Sequence, residues 1–399
     1  MDEVRNPFAP GAGSQPPELA GRDKILEDAR IAVQRAIRGK PTQSQILLGL
    51  RGVGKTVLLN QIEQIAEEHG HLASMIEAPE GIPLPTLLYP RVHQVLRKLS
   101  VIENAKATTF SAMRALRSFA SIFKVEMGDF ALSVDPEIGT ADSGNIEYDL
   151  AELFVRVGEA AKAAGRGWTL LIDEIQYLGE QDYAALIVAI HRINQKRLPV
   201  LFFGAGLPQV AALSGDAKSY AERLFTYPSV GALDQKSAEL AVKNPIEEEG
   251  EQIEVDALHA IVAKTHGYPY FLQEWGYQAW NTADHSPIDV ADIEQSSKKA
   301  LQRLDDGFFR VRFDRLTPRE REYVCAMAKL GNGPYKSGDV AEMMKEPPNK
   351  LGPMRASIIK KGMIYSPSYG DIDFTVPLFG DYLVRNWIEA DGQLPSTKR

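Results

Sequence analysis

Short apolar runs alternate with amphipathic stretches along the first 230 or so residues, and that rhythm predicts elements before any chemistry is considered. Residues 22–38 (RDKILEDARIAVQRAIR) place apolar side chains at three- and four-residue spacing, the period of a helix with one buried face. Strand-sized apolar runs follow near 44–49, 73–77, 168–172 and 199–204, with helical patterns near 55–69, 148–164 and 181–196. Strands separated by helices imply parallel pairing with helical crossovers, hence an α/β sheet covered on both faces. Residues 79–147 interrupt the rhythm with one or two helices, then FKVEMGDFALSVDP, whose β-prone residues flank Met127-Gly128-Asp129. That segment reads as a hairpin inserted between two sheet strands, followed by a polar loop. An insertion of this kind either serves a partner or substrate or simply decorates the domain.

Beyond about residue 234 the strand pattern stops. Residues 236–304 read as helices only, with breaks at Asn244-Pro245, Gly267 and Ser286-Pro287. Three further helical segments (317–330, 337–345, 350–361) precede an alternating stretch, MIYSPSYGDIDFTV, that turns at Ser368-Tyr369-Gly370-Asp371. Three helices followed by a two-stranded wing is the order of a winged helix. With the Pro-, Gly- and Ala-rich start read as an extended arm, the expected divisions are 1–20, an α/β domain over 21–233, a helical lid over 234–312 and a winged helix over 313–399.

Composition narrows the class. The 399 residues carry 44% hydrophobic and 25% charged side chains, the balance of a globular protein with more than one core. Apolar runs such as Thr169-Leu170-Leu171-Ile172 are too short to cross a bilayer, and the N-terminus lacks a basic start before an apolar stretch. A single cysteine, Cys325, excludes an internal disulfide framework and reads as a buried small hydrophobe. These features together predict a cytoplasmic protein with no membrane partner. A net charge of −8 argues against coating nucleic acid through bulk charge.

The strongest chemical signal is GLRGVGKT, which fits G-x-x-x-x-G-K-[ST] in full. An apolar strand runs into it and a helical pattern runs out, which is the order the chemistry needs. Gly49, Leu50, Arg51, Gly52, Val53, Gly54 and Val57 supply a loop and helix start whose backbone N–H groups turn toward phosphate. Lys55 is expected on the β- and γ-phosphates of ATP, and Thr56 on Mg²⁺. The strand in WTLLIDEIQYL ends at Asp173 and Glu174. Asp173 is expected to hold the magnesium through water, and Glu174 to orient or deprotonate the attacking water.

The pattern PPELAGRDKIL, GLRGVGKT, LLIDEIQYL, YAERLF and HGYPYFLQ resembles AAA+ ATPases related to origin-recognition and archaeal P-loop ATPases, a branch that borders on the STAND signalling ATPases. The resemblance runs from about residue 18 to 388 and includes the winged helix. It implies that Ala20-Gly21-Arg22 lines the adenine pocket and that Arg223 is presented to a neighbouring subunit's γ-phosphate. It further implies that Pro269, in a Gly-Tyr-Pro segment like that of STAND proteins, packs against the base. Two positions depart from the AAA+ pattern. The strand PVLFFGAGLP ends in Gly204-Ala205-Gly206, with Gln209 after it, where hydrolysing relatives carry a polar sensor; Tyr270 stands near the place of a lid arginine.

The segment KLGPMRASIIKK contains Lys350, Arg355, Lys360 and Lys361 and no acidic residue. As the third helix of a winged helix it would enter the major groove of double-stranded DNA, with the hairpin around Tyr369 on the backbone or minor groove, although Asp371 and Asp373 in the wing oppose phosphate. Two functions follow as expectations. The first is an ATPase whose nucleotide state controls homo-oligomer assembly and DNA engagement. The second is a STAND-like switch that binds ATP or ADP and signals to a protein partner with little turnover. No second nucleotide domain supports a helicase.

Overall fold

The computed structural model describes residues 1–11, 18–125, 135–136 and 139–388, and the expected hairpin around Met127-Gly128-Asp129 lies outside them. The chain forms two compact units. One comprises Arg22–Gly49 and Gly54–Val230; the other comprises Met1–Gly21, Leu50–Val53 and Gly231–Arg399.

The first unit is built on five strands, β1 (Ser44–Leu48), β2 (His71–Glu77), β3 (Gly167–Asp173), β4 (Val200–Gly206) and β5 (Phe225–Thr226). They are parallel and ordered β2-β3-β4-β1-β5. Every residue of β3 and β4 is buried, which is why both read as unbroken apolar runs rather than alternating ones. Helices α1 (Asp23–Ile37), α2 (Lys55–Glu68), α3 (Leu84–Ser100), α4 (Lys106–Ile122), α5 (Ile146–Ala163), α6 (Glu180–Gln195), α7 (Val210–Ala217) and α8 (Ala221–Leu224) complete it. The expected insertion thus supplies two helices. Their buried faces, including Leu88, Val92, Leu96 and Phe119, join one core with Leu150, Phe154 and Trp168. Asp182 of α6 accepts from Leu84 N at 2.7 Å and so caps α3. Asn145 caps α5, accepting from Glu147 N and Tyr148 N.

His71 is the buried titratable group that ties β2 into this core. Its Nε2 lies 3.1 Å from the Val33 carbonyl, which can only accept, so Nε2 carries the hydrogen. Nδ1 then accepts from Thr169 Oγ1 at 2.9 Å. Burial, opposed only by the Val33 carbonyl, pushes the imidazole down to about 4. An unfolded His71 titrates near 6.5, so below that pH the unfolded chain binds the extra proton and folding loses stability as pH falls toward 4. We expect this one group to withdraw about 3 kcal/mol across that interval. Denaturant titration of wild type and His71→Gln at both pH values checks it: the two should converge as the pH drops.

In the second unit the described residues of the N-terminal arm pack on a helix rather than standing free. Phe8 is buried beside Gly276, and Trp280 Nε1 donates to Asp2 O at 2.8 Å. Helices α9 (Gln235–Glu248), α10 (Val255–Thr265), α11 (Pro269–Thr282), α12 (Val290–Arg303) and α13 (Arg310–Asp314) follow, with a wide π turn over Leu304–Phe309. The break expected at Asn244-Pro245 is absent, for α9 runs through it. Asp234 caps the helix at Ser237 N, Pro245 is buried in its last turns, and one missing N–H costs less than losing that packed face. The breaks near Gly267 and Ser286-Pro287 are present as the gaps between α10, α11 and α12.

The rest of this unit runs α14 (Pro318–Lys329), β6 (Tyr335–Lys336), α15 (Ser337–Met343), α16 (Pro348–Lys360), β7 (Ile364–Tyr365), β8 (Asp371–Phe374) and α17 (Phe379–Leu383). The strands form an antiparallel sheet in the order β6-β8-β7, one strand more than the sequence suggested. Glu320 locks these helices together. It closes a capping box with Thr317 and accepts from Ser357 Oγ at 2.7 Å and Lys361 Nζ at 2.6 Å. Burial works against its charge, but those donors outweigh it and hold the carboxyl down at about 2.

Candidate functional site

The site grows from the carboxyl ends of three adjacent strands. β4 lies between β1 and β3, with Leu48 in register with Gly206 and Ile172 with Gly204, so the loops after all three strands emerge side by side. Ligands of parallel sheets bind at such strand ends. After β1 the chain turns through Gly52 and Gly54 at φ of 82° and 93°, a region closed to most side chains, and α2 begins at Lys55. Gly49 N donates to Gly206 O at 3.1 Å and fixes the start of the loop against β4.

Lys55 is buried, and its Nζ donates to the Gly49 carbonyl at 2.9 Å, lying along the loop that precedes it. Thr56 Oγ1 donates to Asp173 Oδ2 at 2.5 Å, so the two residues expected on the metal are in contact. Asp173 Oδ1 accepts from Glu174 N at 2.8 Å. Burial pushes the Asp173 carboxyl up, against the hydrogen bonds from Thr56 and Glu174 N and the charge of Lys55. A desolvated carboxylate beside one hydroxyl suits a hard divalent cation that keeps waters and phosphate as its other ligands. Among the described residues no cluster of three or more His, Cys, Asp or Glu could hold a metal alone. The residues therefore fit Mg²⁺.

Glu174 adopts a left-handed backbone, φ 53° and ψ 39°, at the start of a 3₁₀ turn over Ile175–Tyr177. This strained geometry belongs to sites that aim a side chain. The carboxylate of Glu174 accepts from Gln176 Nε2, and Gln176 Oε1 accepts from Leu207 N at 3.2 Å. Gln176 was not singled out in the sequence; its signal was its place two residues after Glu174 on a strand-end turn. Near Gly206, where the sequence lacks the polar sensor of hydrolysing relatives, the Gln176 amide crosses the strand end: a Cβ at Gly206 would lie 2.9 Å from Gln176 Oε1 and 2.8 Å from Val210.

Arg223 lies on α8, exposed, near the amino ends of the strands rather than their carboxyl ends. Phe225 pairs with Ser44 at the amino end of β1, and Gln43 Nε2 donates to the Arg223 carbonyl at 2.9 Å. The length of β1 separates that end from the loop, about 13 Å at about 3.3 Å per residue. Arg223 faces a cleft shared with Lys40 and Arg197, away from Lys55. Within the second unit, Tyr270 N donates to Gly52 O at 3.2 Å and the Tyr268 hydroxyl donates to Arg51 O, which seats the segment before Pro269 on the loop tip Leu50–Val53. Gly21 lies against Ser237 in that unit, while Arg22 begins α1 in the other and is buried.

The cations of α16 are not equivalent. Lys350 is exposed, Arg355 donates to Ser337 Oγ at 2.7 Å, and Lys361 is committed to Glu320 and to the Arg315 carbonyl at 3.1 Å. In the adjoining hairpin Asp371 pairs with Lys336 at 2.7 Å, burial pushes the Asp373 carboxyl up, and Tyr369 stands fully exposed.

The five-stranded parallel sheet, with its glycine loop after β1, defines a P-loop NTPase-type α/β fold. Residues 18–203 match the family described as "AAA ATPase domain", and residues 306–383 match a family described only as a domain of unknown function. A curated relative, described as an uncharacterised HTH-type transcriptional regulator of Methanocaldococcus jannaschii, is 23% identical over 364 residues, covering 88% of this chain and 85% of that one. The Walker-type ATPase of Pyrococcus abyssi shares the fold, with a TM-score of 0.58 at 16% identity over 92% of this chain and 96% of that one. The Orc1 protein of Aeropyrum pernix, solved in complex with DNA, is a weaker likeness, with a TM-score of 0.44 at 14% identity over 96% of each chain, and nothing is carried over from it. Among the described residues no helix is long and apolar enough to cross a membrane.

Proposed function

We propose that the chain is a magnesium-dependent ATPase whose nucleotide state controls its assembly and its engagement of double-stranded DNA. The observation that carries the reading is the 2.5 Å contact between Thr56 and Asp173 beside the buried Lys55, a hydroxyl, an acid and a cation converging at one strand end. Lys55 binds the β- and γ-phosphates, and residues 49–57 wrap them with backbone N–H groups. Thr56 and, through water, Asp173 would hold Mg²⁺, which would supply positive charge beside those phosphates. Glu174 takes a proton from water as its oxygen bonds to the γ-phosphorus. The bond to the β-bridging oxygen breaks, releasing ADP and phosphate. Arg223, beyond the amino end of β1, acts on the γ-phosphate held by a neighbouring copy.

Residues 313–399 are proposed as a winged helix whose α16 enters the major groove, with Lys350, Arg355 and Lys360 toward phosphate. The pairing of Asp371 with Lys336 lowers the wing's negative field, and the helix-turn-helix description of the archaeal relative supports a DNA role. A second reading, a STAND-like switch with little turnover, is favoured by the bare Gly206 and by Tyr270.

Sizing the protein with ADP, with a non-hydrolysable ATP analogue, and with analogue plus duplex DNA separates the two. The ATPase reading expects a larger species with the analogue and a DNA complex whose log K falls linearly with log salt. Lys350→Ala should flatten that slope by about 0.9. An unchanging monomer that never shifts DNA at low salt would select the switch.

A further inference from the structure

We propose that Gln176 is the positioning residue for Glu174, spanning the ends of two strands to hold the base where it can take a proton from the attacking water. The inference rests on the hydrolase reading and deepens it. Backbone N–H groups only donate, so the Leu207 amide 3.2 Å away fixes the Gln176 oxygen toward β4 and turns its NH₂ toward the Glu174 carboxylate. The amide orientation is thereby set by its partners on both sides.

The bridge has two consequences for the reaction. One carboxylate oxygen is occupied by the amide, which leaves the other to accept from water. The anchor at Leu207 follows Gly206 directly, whose backbone holds the start of the phosphate loop through Gly49 N at 3.1 Å. Base and loop are thus referenced to the same strand end. A Cβ at Gly206 would meet Val210 Cγ2 at 2.8 Å and Gln176 Oε1 at 2.9 Å, so the bridge passes close over a position that carries no side chain. Closing the 3₁₀ turn does not require this side chain, since that turn is already made by Tyr177 N donating to Glu174 O at 3.0 Å.

The test compares full-length wild type, Gln176→Ala and Gln176→Glu by fluorescent ATP-analogue binding and by single-turnover ATP hydrolysis. We expect binding by Gln176→Ala within about threefold of wild type and hydrolysis slower by about 100-fold, the scale of a catalytic group released by an ångström or so. Gln176→Glu keeps the shape but sets two carboxylates together, which must share a proton. Its hydrolysis should recover as pH falls, giving a limb that wild type lacks and that a purely structural residue would not produce. Wild-type hydrolysis matched by Gln176→Ala, or a Gln176→Glu pH profile parallel to wild type, overturns the inference alone. A wild type that binds ATP and never hydrolyses it sinks the hydrolase reading and this inference with it.

Discussion

Lys55→Ala is expected to weaken nucleotide binding by about 100-fold or more while leaving the fold intact. In the free protein the ammonium of Lys55 rests on the Gly49 carbonyl at 2.9 Å, within the loop that would receive phosphate. A phosphate oxygen is a charged acceptor, and each charge-assisted bond that replaces the carbonyl contributes about 1.5–3 kcal/mol. Losing two of them weakens affinity by about 100-fold or more. Alanine is a good helix former at the first position of α2, and the glycines that shape the loop are untouched. The readout is therefore differential. Without nucleotide, wild type and variant should unfold together. With ATP and magnesium at about a hundred times the wild-type dissociation constant, wild type alone gains about 2.7 kcal/mol. Equal stabilisation of both proteins by ATP would refute the phosphate site.

The contrast between Lys55 and Gln176 explains what the sequence could disclose. A phosphate loop is contiguous: its glycines, lysine and hydroxyl sit within eight positions of one another, between a strand and a helix that announce themselves by their apolar patterns. Asp173 was legible for a similar reason, since an unbroken apolar run that ends in an acid marks the carboxyl end of a buried strand. The role of Gln176 depends on a left-handed turn at Glu174 and on the backbone of a strand about thirty positions away. That strand lies between β1 and β3, an order that spacing along the chain does not encode. Pro245 misled in the other direction, because a local rule about proline yielded to the packing of a capped, amphipathic helix. β6 has two residues, too few to show alternation, and the pairing of Lys361 with Glu320 joins residues far apart in sequence.

Glu174→Gln is expected to slow turnover by about 10²- to 10⁴-fold, the range for removing a general base, with ATP affinity little changed. The substitution is unusually clean here because of what the side chain touches. A glutamine at 174 still offers a carbonyl oxygen to Gln176 Nε2, so the bridge to Leu207 can persist and the residue can keep its place. Asp173 retains Thr56 Oγ1 at 2.5 Å and its bond from the backbone N–H of residue 174, so the Thr56–Asp173 contact is untouched. Loss of rate would then report loss of proton acceptance rather than loss of geometry. The variant should also accumulate with ATP uncleaved, so that in sizing experiments ATP itself produces the species that wild type forms only with a non-hydrolysable analogue. Single-turnover hydrolysis within about threefold of wild type would show that Glu174 is not the base, and the search would pass to another group able to accept the proton, since a neutral glutamine cannot do so near neutral pH.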